Sequence, residues 1–566
     1  MSVRVNETPP RAWLAIGRFT PPLLAWGVLA TTLLTAGAIL SAGGHDLSHW
    51  LGDTDDAVRL VGVRELLAGA PWFDTTLPRI GAPDPLVSHW SRLIDLPIAG
   101  LILLLTPLLG AEKAEIATRI VWPALLFLSL LLIVSREARR QAGPWGGALA
   151  VLSAATSLMA FVQFRPGRVD HHNAQILCAV AGVLLLLRAW QEPRVGWRAG
   201  ILLGLGLAIG YEALALVGLA LGIAAATALW LPRHAAGVVR AAIAATLTMT
   251  AALLLTIPPW RWMHIHCDAL ALNLPVLAGG GAIGLWAGIA FGRTRFERFL
   301  IAGVGAVAGA AGFAALEPAC LAGPYGQVSP ALRALWLDHV FETESILWRA
   351  ANQPSLYLGT LVFPAAGTAV EVCRWYRQRD AGSGLAMAFI LLAVALGCWQ
   401  MRLIPYASWL CVVPVARWAG GLSATARISA PTVRIAAACL LSQGIIDATL
   451  GPLISLFEGP HPVVTAPACE LSDNVRRLAT LPAGLVAADL DLSAYVAALT
   501  PHRVVAAPYH RLEKSILANQ AIMEGSPDTS LKAARMMFAD CGPSGPCASH
   551  RTGPLTRSVD VGNCAT

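Results

Sequence analysis

Charge is what this chain of 566 residues has least of. Only 13% of its residues are charged and 56% are hydrophobic, with a mean hydropathy of +0.61. A soluble chain of this size carries roughly twice that charge. Many of its apolar runs reach the ~20 residues that span a bilayer. The composition therefore excludes an ordinary soluble protein and points to one large membrane-spanning domain. The formal charge of +7 is not the footprint of a nucleic-acid binder, because the arginines fall in short loops between apolar runs, where they set orientation.

A leader pattern is lacking too. Arg4, Arg11 and Arg18 precede an apolar run from Pro21 to Ala42, which is too long for a typical signal segment and reads as a first crossing. No internal repeat is evident, and the spans are nearly free of ionisable residues, with Glu212 and Asp447 near expected ends. Both absences argue against the alternative class, an ion-coupled transporter or a flippase for lipid-linked glycans. Of the eleven cysteines, most lie in or beside apolar spans and read as small core residues. Cys469, Cys541, Cys547 and Cys564 fall in a polar tail, where an oxidising compartment would allow two disulfides among three pairings.

Apolar length together with Lys/Arg bias predicts about thirteen crossings, with the N-terminus cytoplasmic and the C-terminus outside. The richest arginine loops then share the inner side: Arg136 to Arg140; Arg293, Arg295 and Arg298; Arg374, Arg377 and Arg379; Arg417 and Arg427. The run Leu93 to Leu109, short and interrupted by Pro97 and Pro107, reads as re-entrant or interfacial, since counting it as a crossing would reverse every later loop. The fold class is thus a polytopic α-helical membrane protein with a small C-terminal extracytoplasmic α/β domain. Residues 1–456 form the membrane domain, with large outer loops at 43–116 and 317–354, and residues 457–566 form the tail. In the tail, Gly484 to Ala488 and His502 to Ala507 read as strands, flanked by helical patterns at Asn474–Leu481 and Ser515–Met523.

Three outer segments carry groups suited to chemistry. Gly52-Asp53-Thr54-Asp55-Asp56 holds three carboxylates within four residues, which repel one another and need a counter-charge. The plain alternative is an acidic helix start. Arg165-Pro-Gly-Arg168-Val-Asp170-His171-His172-Asn173 offers an acid and an imidazole two apart in an irregular loop, with interfacial hydrogen bonding as the plain alternative for the histidines. Glu342-Thr-Glu344 lies in the 317–354 loop, where a solvated face is the plain alternative. Two or three carboxylates with one imidazole suit Mn²⁺ or Mg²⁺ better than Zn²⁺ or Ca²⁺. Arg165 and Arg168 could bind a lipid phosphate or pyrophosphate through charge-assisted bonds. Arg402, at the outer end of a span, could bind an acidic substrate group or a catalytic carboxylate, or simply snorkel to water.

With these motifs in this order, the chain resembles the catalytic subunits of oligosaccharyltransferases, within the GT-C class of membrane glycosyltransferases, over nearly its whole length. Asp55, nine residues before Arg64, resembles the family's first outer-loop motif. Asp170 fits the second acidic motif, with His172 in place of its second acid. Glu344, ahead of Asn352-Gln353-Pro354, resembles the loop glutamate, with Glu342 the alternative because the spacing is longer here. Arg402 matches an arginine of the eleventh span, and Asp489 to His510 sits where the family's outer domain begins. The family's Trp-Trp-Asp peptide-binding motif is absent near Ala487 to Tyr495. Thr500, His502 and Arg503, with Tyr509, His510 and Arg511, stand in its place as acceptor-binding candidates.

The resemblance implies a glycosyltransferase with a polyprenyl-phosphate or polyprenyl-pyrophosphate sugar donor and a glycan, lipid or protein acceptor. It implies residence in a bacterial inner (plasma) membrane among membrane lipid, with no nucleic-acid partner. In that reading Asp55, Asp170, His172 and Glu344 hold the ion. Asp55, Asp56 or Glu344 serves the acceptor, and Arg165, Arg168 and Arg402 bind donor or acceptor. An inactive relative acting as an assembly subunit is the remaining alternative.

Overall fold

The computed structural model describes residues 21–41, 50–423, 428–457, 475 and 477–538. The first three arginines, Arg427 and the four tail cysteines lie outside these residues. The chain is mainly helical. Helix α1 (Pro21–Ser41) leads to α2 (Thr54–Leu67), then to the antiparallel pair β1 (Thr76–Leu77) and β2 (Leu86–Val87), with Thr76 opposite Val87. Next come α3 (Arg92–Leu109), α4 (Ala111–Ala155), α5 (Leu158–Phe161), α6 (His172–Ala189), α7 (Val195–Ile209), α8 (Leu214–Trp230), α9 (Ala235–Thr256), α10 (Asn273–Phe291) and α11 (Arg295–Leu316). Short α12 (Pro330–Leu335) and α13 (Ile346–Asn352) lie in the long outer loop. They are followed by α14 (Pro354–Gln378), α15 (Ala381–Trp399), α16 (Ile404–Gly420), α17 (Ala430–Leu440) and α18 (Gln443–Ser455). The tail supplies β3 (Leu485–Val486), α19 (Leu490–Leu499), β4 (Arg503–Val504), α20 (Glu513–Glu524) and α21 (Pro527–Phe538).

Among the described residues nine helices are long and apolar enough to cross a membrane, or ten if α17 and α18, bent by 56° at Leu441–Ser442, make one crossing. Helix α4 is 45 residues long, about twice what a bilayer needs. It breaks at Ala142 and Gly143, where Gly143 takes φ +66° ahead of Pro144, so its two halves correspond to two of the expected crossings. Helices α7 and α8 are apolar but shorter, at 15 and 17 residues.

Helix α3, expected to lie along the interface, is one of these nine. Gly110 turns the chain directly from α3 into α4. Only nine residues further on, the Arg119 carbonyl accepts from Gly167 N at 2.9 Å and its guanidinium reaches the Trp50 carbonyl.

The main core runs through the bundle, where Phe127, Phe164 and Trp409 meet edge to face and the Trp409 indole donates to the Ala160 carbonyl at 3.0 Å. A second core joins the tail to the first outer segment. Leu60, Leu77, Ile80 and Leu86 pack with Val496, Val504, Leu512 and Ile516. The tail strands pair in parallel, Leu485 opposite Arg503 and Val486 opposite Val504, and residues 79–82 extend that sheet through bonds between Gly81 and Val504 and between Ala82 and Val505. The tail therefore shares its sheet and core with residues 51–90. The cysteine expectation needs a correction. Cys267 and Cys320, both beside apolar spans, form a disulfide that ties the loop before α10 to the segment after α11.

Candidate functional site

The acidic stretch is the helix start of its plain reading, with Asp53 at the N-cap and Asp55 and Asp56 in the first turn, and the three carboxylates then differ in what they touch. Asp53 is the N-cap of α2. Its carboxylate accepts from the backbone N–H groups of Asp55 (2.9 Å) and Asp56 (3.2 Å), while Asp56 reaches back to Asp53 N at 2.9 Å. Asp56 is fully buried. Its other oxygen accepts from Val169 N (2.5 Å) and Asp170 N (2.8 Å), so this carboxylate, expected to take part in chemistry, stitches α2 to the 165–173 loop.

The counter-charge for these acids is a residue of the same protein. Arg168, 7% exposed, bonds Asp53, Asp170 (2.5 Å) and Gln163, with Asp56 at 3.4 Å. Gly167, at φ +92°, turns the loop so that Arg168 enters the cluster. Arg165, three residues earlier, stays exposed at the rim. The pair expected to bind phosphate together is thus divided, with Arg168 spent on carboxylates. Burial raises the Asp53 carboxyl, but the Arg168 guanidinium outweighs it and holds Asp53 below the usual range.

Asp55 faces elsewhere. Burial and the neighbouring Asp53 charge push its carboxyl up to about 7. Its Oδ1 accepts from the Tyr509 hydroxyl at 2.9 Å, and its Oδ2 lies 3.9 Å from His172 Nε2. One donor atom each from Asp55, Asp170 and His172 lies within 4.8 Å of the others, and the same holds for His171, His172 and Glu212. His171 Nε2 meets Glu212 at 3.0 Å, leaving His171 Nδ1 and the second Glu212 oxygen buried without a hydrogen-bond partner. Burial alone would raise the Glu212 carboxyl, yet the imidazole of His171 beside it holds it well below the usual range.

Of the two loop glutamates, Glu342 is the one whose charge reaches Asp55, His172 and Arg402. Glu344 turns to Arg349, 2.5 Å away, and is in none of the donor groups. Arg402 hydrogen-bonds the Tyr325 hydroxyl and feels Glu212 and Glu342, while its Nε is buried without a partner. The tail divides in the same way. Tyr509 enters the cluster. His510 meets Asp268 at 2.8 Å, and Arg511 grips the same carboxylate at 2.8 and 2.6 Å. His502 is a structural residue: it accepts from Gly484 N at 3.1 Å and donates through Nε2 to the Leu478 carbonyl at 2.8 Å, and Arg503 is exposed in β4.

A cavity of about 80 Å³ adjoins the cluster, lined among others by His89, His171, Glu212, Arg261, Asp268 and Arg511. Sequence reasoning did not select His89, Glu212 or Asp268 as site residues. Glu212 could have been found, because the topology sets its turn on the same outer side as the acidic stretch.

Three comparisons bear on this arrangement. Residues 97–262 match the family model described as dolichyl-phosphate-mannose-protein mannosyltransferase. No curated protein sequence matches the chain. Among solved structures, it is similar to the archaeal oligosaccharyltransferase AglB from Archaeoglobus fulgidus in complex with an inhibitory peptide and a dolichol-phosphate. The TM-score is 0.62 at 13% identity, covering 91% of this chain and 68% of that one. The same enzyme tethered to an acceptor peptide containing the NVT sequon matches at TM-score 0.59 and 12% identity, with 91% and 68% covered. Its complex with Zn and sulfate matches at 0.54 and 15%, with 91% and 66% covered. Over nearly its whole length, this chain shares the fold of that archaeal oligosaccharyltransferase structure.

Proposed function

We propose that the chain is an integral-membrane glycosyltransferase that moves a sugar or oligosaccharide from a polyprenyl-phosphate or polyprenyl-pyrophosphate donor to an acceptor outside the cytoplasm. The observation that carries this reading is the convergence of Asp55, Asp170 and His172, from segments over a hundred residues apart, to donor-atom separations within 4.8 Å. The fold shared with the archaeal enzyme and the match to a mannosyltransferase family model favour the same class.

The residues fit a divalent cation. Two carboxylates and an imidazole converge, Asp55 keeps an oxygen free of hydrogen bonds, and unpartnered polar atoms of His171 and Glu212 lie beside them. Such a donor set suits Mn²⁺ or Mg²⁺. Asp55, Asp170 and His172 would hold the ion, with Glu342 rather than Glu344 as the nearby loop acid. When bound, the ion would supply charge neutralisation at the leaving phosphate. Arg402, Arg165 and the imidazoles of His89 and His171 are suited to phosphate oxygens or an acidic acceptor group. In the transfer, the bond from the anomeric carbon to phosphate oxygen breaks and a bond to the acceptor forms. The acceptor's proton passes to a carboxylate, for which Asp55 is the best-set group.

The topology that accords with this reading has the N-terminus inside, α3 along the interface and about thirteen crossings, with the tail in the periplasm of a bacterial inner membrane. The test is a mass-spectrometric comparison of lipid-linked and surface glycans in cells carrying the gene, lacking it, or carrying Asp55→Ala. The reading expects loss of the same product in the last two at normal protein levels. Identical glycans in all three would overturn it.

A further inference from the structure

A second cavity, of about 1330 Å³, opens at the end of the bundle opposite the acidic cluster. It lies where α4, α6, α14 and α16 end or break and where α15 begins. Arg140, Arg188, Arg374, Arg377 and Arg417 line it, against the lining acids Glu137 and Asp380 and the paired acids Glu192 and Glu371 beside it, which leaves one positive charge in excess. Arginines that only orient a chain in the membrane would lie scattered over its loops. These converge from four helices on one space.

Their ion pairs hold them in position without using every donor. Arg374 and Arg417 share the buried Glu371, at 2.5 and 2.6 Å. Arg140 and Arg188 share Glu192, at 2.9 and 2.8 Å. A guanidinium has five N–H donors, and each of these spends only some of them. Arg377 is exposed and makes no ion pair among the described residues. Asp380 is committed as the N-cap of α15, accepting from Ser383 N at 3.0 Å.

The rest of the wall is apolar, including Leu187, Ala369 and Val370, with Trp190 and Trp418 beside them. Trp418 is exposed, as an anchor of the membrane interface would be, while Trp190 is buried and stacks on His234. The space exceeds the few hundred Å³ of a small-molecule pocket. We infer that this cavity binds the phosphate-bearing headgroup of an anionic membrane lipid, with the arginines on the phosphate and the apolar wall along the first part of the acyl chains. Basic pockets between membrane helices recognise such headgroups. The inference is independent of the transfer reaction proposed for the other end.

The full chain, purified in detergent, is examined by native mass spectrometry with phosphatidylglycerol or phosphatidylcholine of the same acyl chains. Phosphatidylglycerol is expected to be retained one per chain at concentrations at least tenfold lower than phosphatidylcholine. Arg140→Gln with Arg377→Gln, which spares the buried Glu371 pairs, is expected to remove that preference. If the double variant melts below the parent protein, Arg377→Glu alone, at an exposed position, carries the test with the same expectation. Equal retention of the two lipids, or a preference that survives these changes, would overturn the inference. So would displacement of phosphatidylglycerol by inorganic phosphate at submillimolar concentration, which would mark a site for the free anion.

Discussion

Tyr509 donates its hydroxyl hydrogen to Asp55 across 2.9 Å, so a residue of the tail touches the carboxylate at the centre of the candidate site. Three neighbours hold Tyr509 there. Trp90 meets it edge to face at 5.4 Å, and the next two residues, His510 and Arg511, are clamped to Asp268. The tail thus completes a site whose other members, Asp55, Asp170 and His172, lie far earlier in the chain.

Tyr509→Phe removes this hydrogen bond, with the longer contact of the same hydroxyl to the Thr54 carbonyl at 3.3 Å, and keeps the ring packing. Its cost in stability is expected to be about 1 kcal/mol, the net worth of a buried hydrogen bond. The larger effect falls on transfer. Without the hydroxyl, Asp55 loses a partner that fixes its rotamer, and turnover is expected to drop about tenfold with little change in acceptor KM. Transfer by the purified variant, with its melting temperature as control, checks this. A proportionate fall in both would make Tyr509 merely structural.

Acid should loosen the link between tail and first outer segment in two steps. His89 is largely buried, and that burial pushes its imidazole down to about 3, so the folded protein keeps it neutral while the unfolded chain protonates it near 6.5. Stability is therefore lost as pH falls from about 6.5 toward 3, by roughly 4 kcal/mol at most. Burial would raise the Asp268 carboxyl, but His510, His89 and Arg511 outweigh it and hold it well below its ordinary 3.8. Its contribution is present above about pH 4 and is lost as pH falls through the folded value. Melting temperatures in detergent should decline between pH 6.5 and 4, and His89→Gln should flatten that part of the curve. A variant that keeps the full slope would refute the assignment.

Arg168→Lys keeps the charge but cannot reach Asp53, Asp56 and Asp170 with one ammonium. Breaking a buried ion-pair network by removing a partner costs roughly 3–5 kcal/mol. The expected result is a lower melting temperature, with trypsin cutting early in the 165–173 loop. An unchanged melt would show that the acids are balanced by something other than this guanidinium.

Much of the bundle is legible in the sequence because a bilayer demands long apolar runs and the arginines mark one side. The side-chain partners are less so, and each miss has a local cause. Arg165 and Arg168 look alike in sequence. A glycine with positive φ between them sends one into the cluster and leaves the other at the rim. Glu342 and Glu344 are separated by the end of a short 3₁₀ turn, Phe341–Thr343, which turns Glu344 to Arg349. His502 sits in a promising run of polar residues, yet its ring is used up on Gly484 N–H and the Leu478 carbonyl, partners that no spacing reveals. Asp55, Asp170 and His172 could be read together because topology alone set their loops on one side.

The disulfide between Cys267 and Cys320 is the other feature that spacing concealed, since both cysteines border apolar spans. It closes a loop of 53 residues containing α10 and α11. Chain entropy alone assigns such a closure about 4 kcal/mol, an upper figure because membrane helices already restrict the unfolded chain. Cys267 also immediately precedes Asp268, which clamps His510 and Arg511. Cys267→Ser with Cys320→Ser should therefore lower the melting temperature and also free the tail. Limited proteolysis is expected to release the 475–538 segment sooner in the double variant than in the parent, and treatment of the parent with a reductant should reproduce the change. Equal rates of release would mean that the α10–α11 hairpin holds Asp268 in place without the bridge.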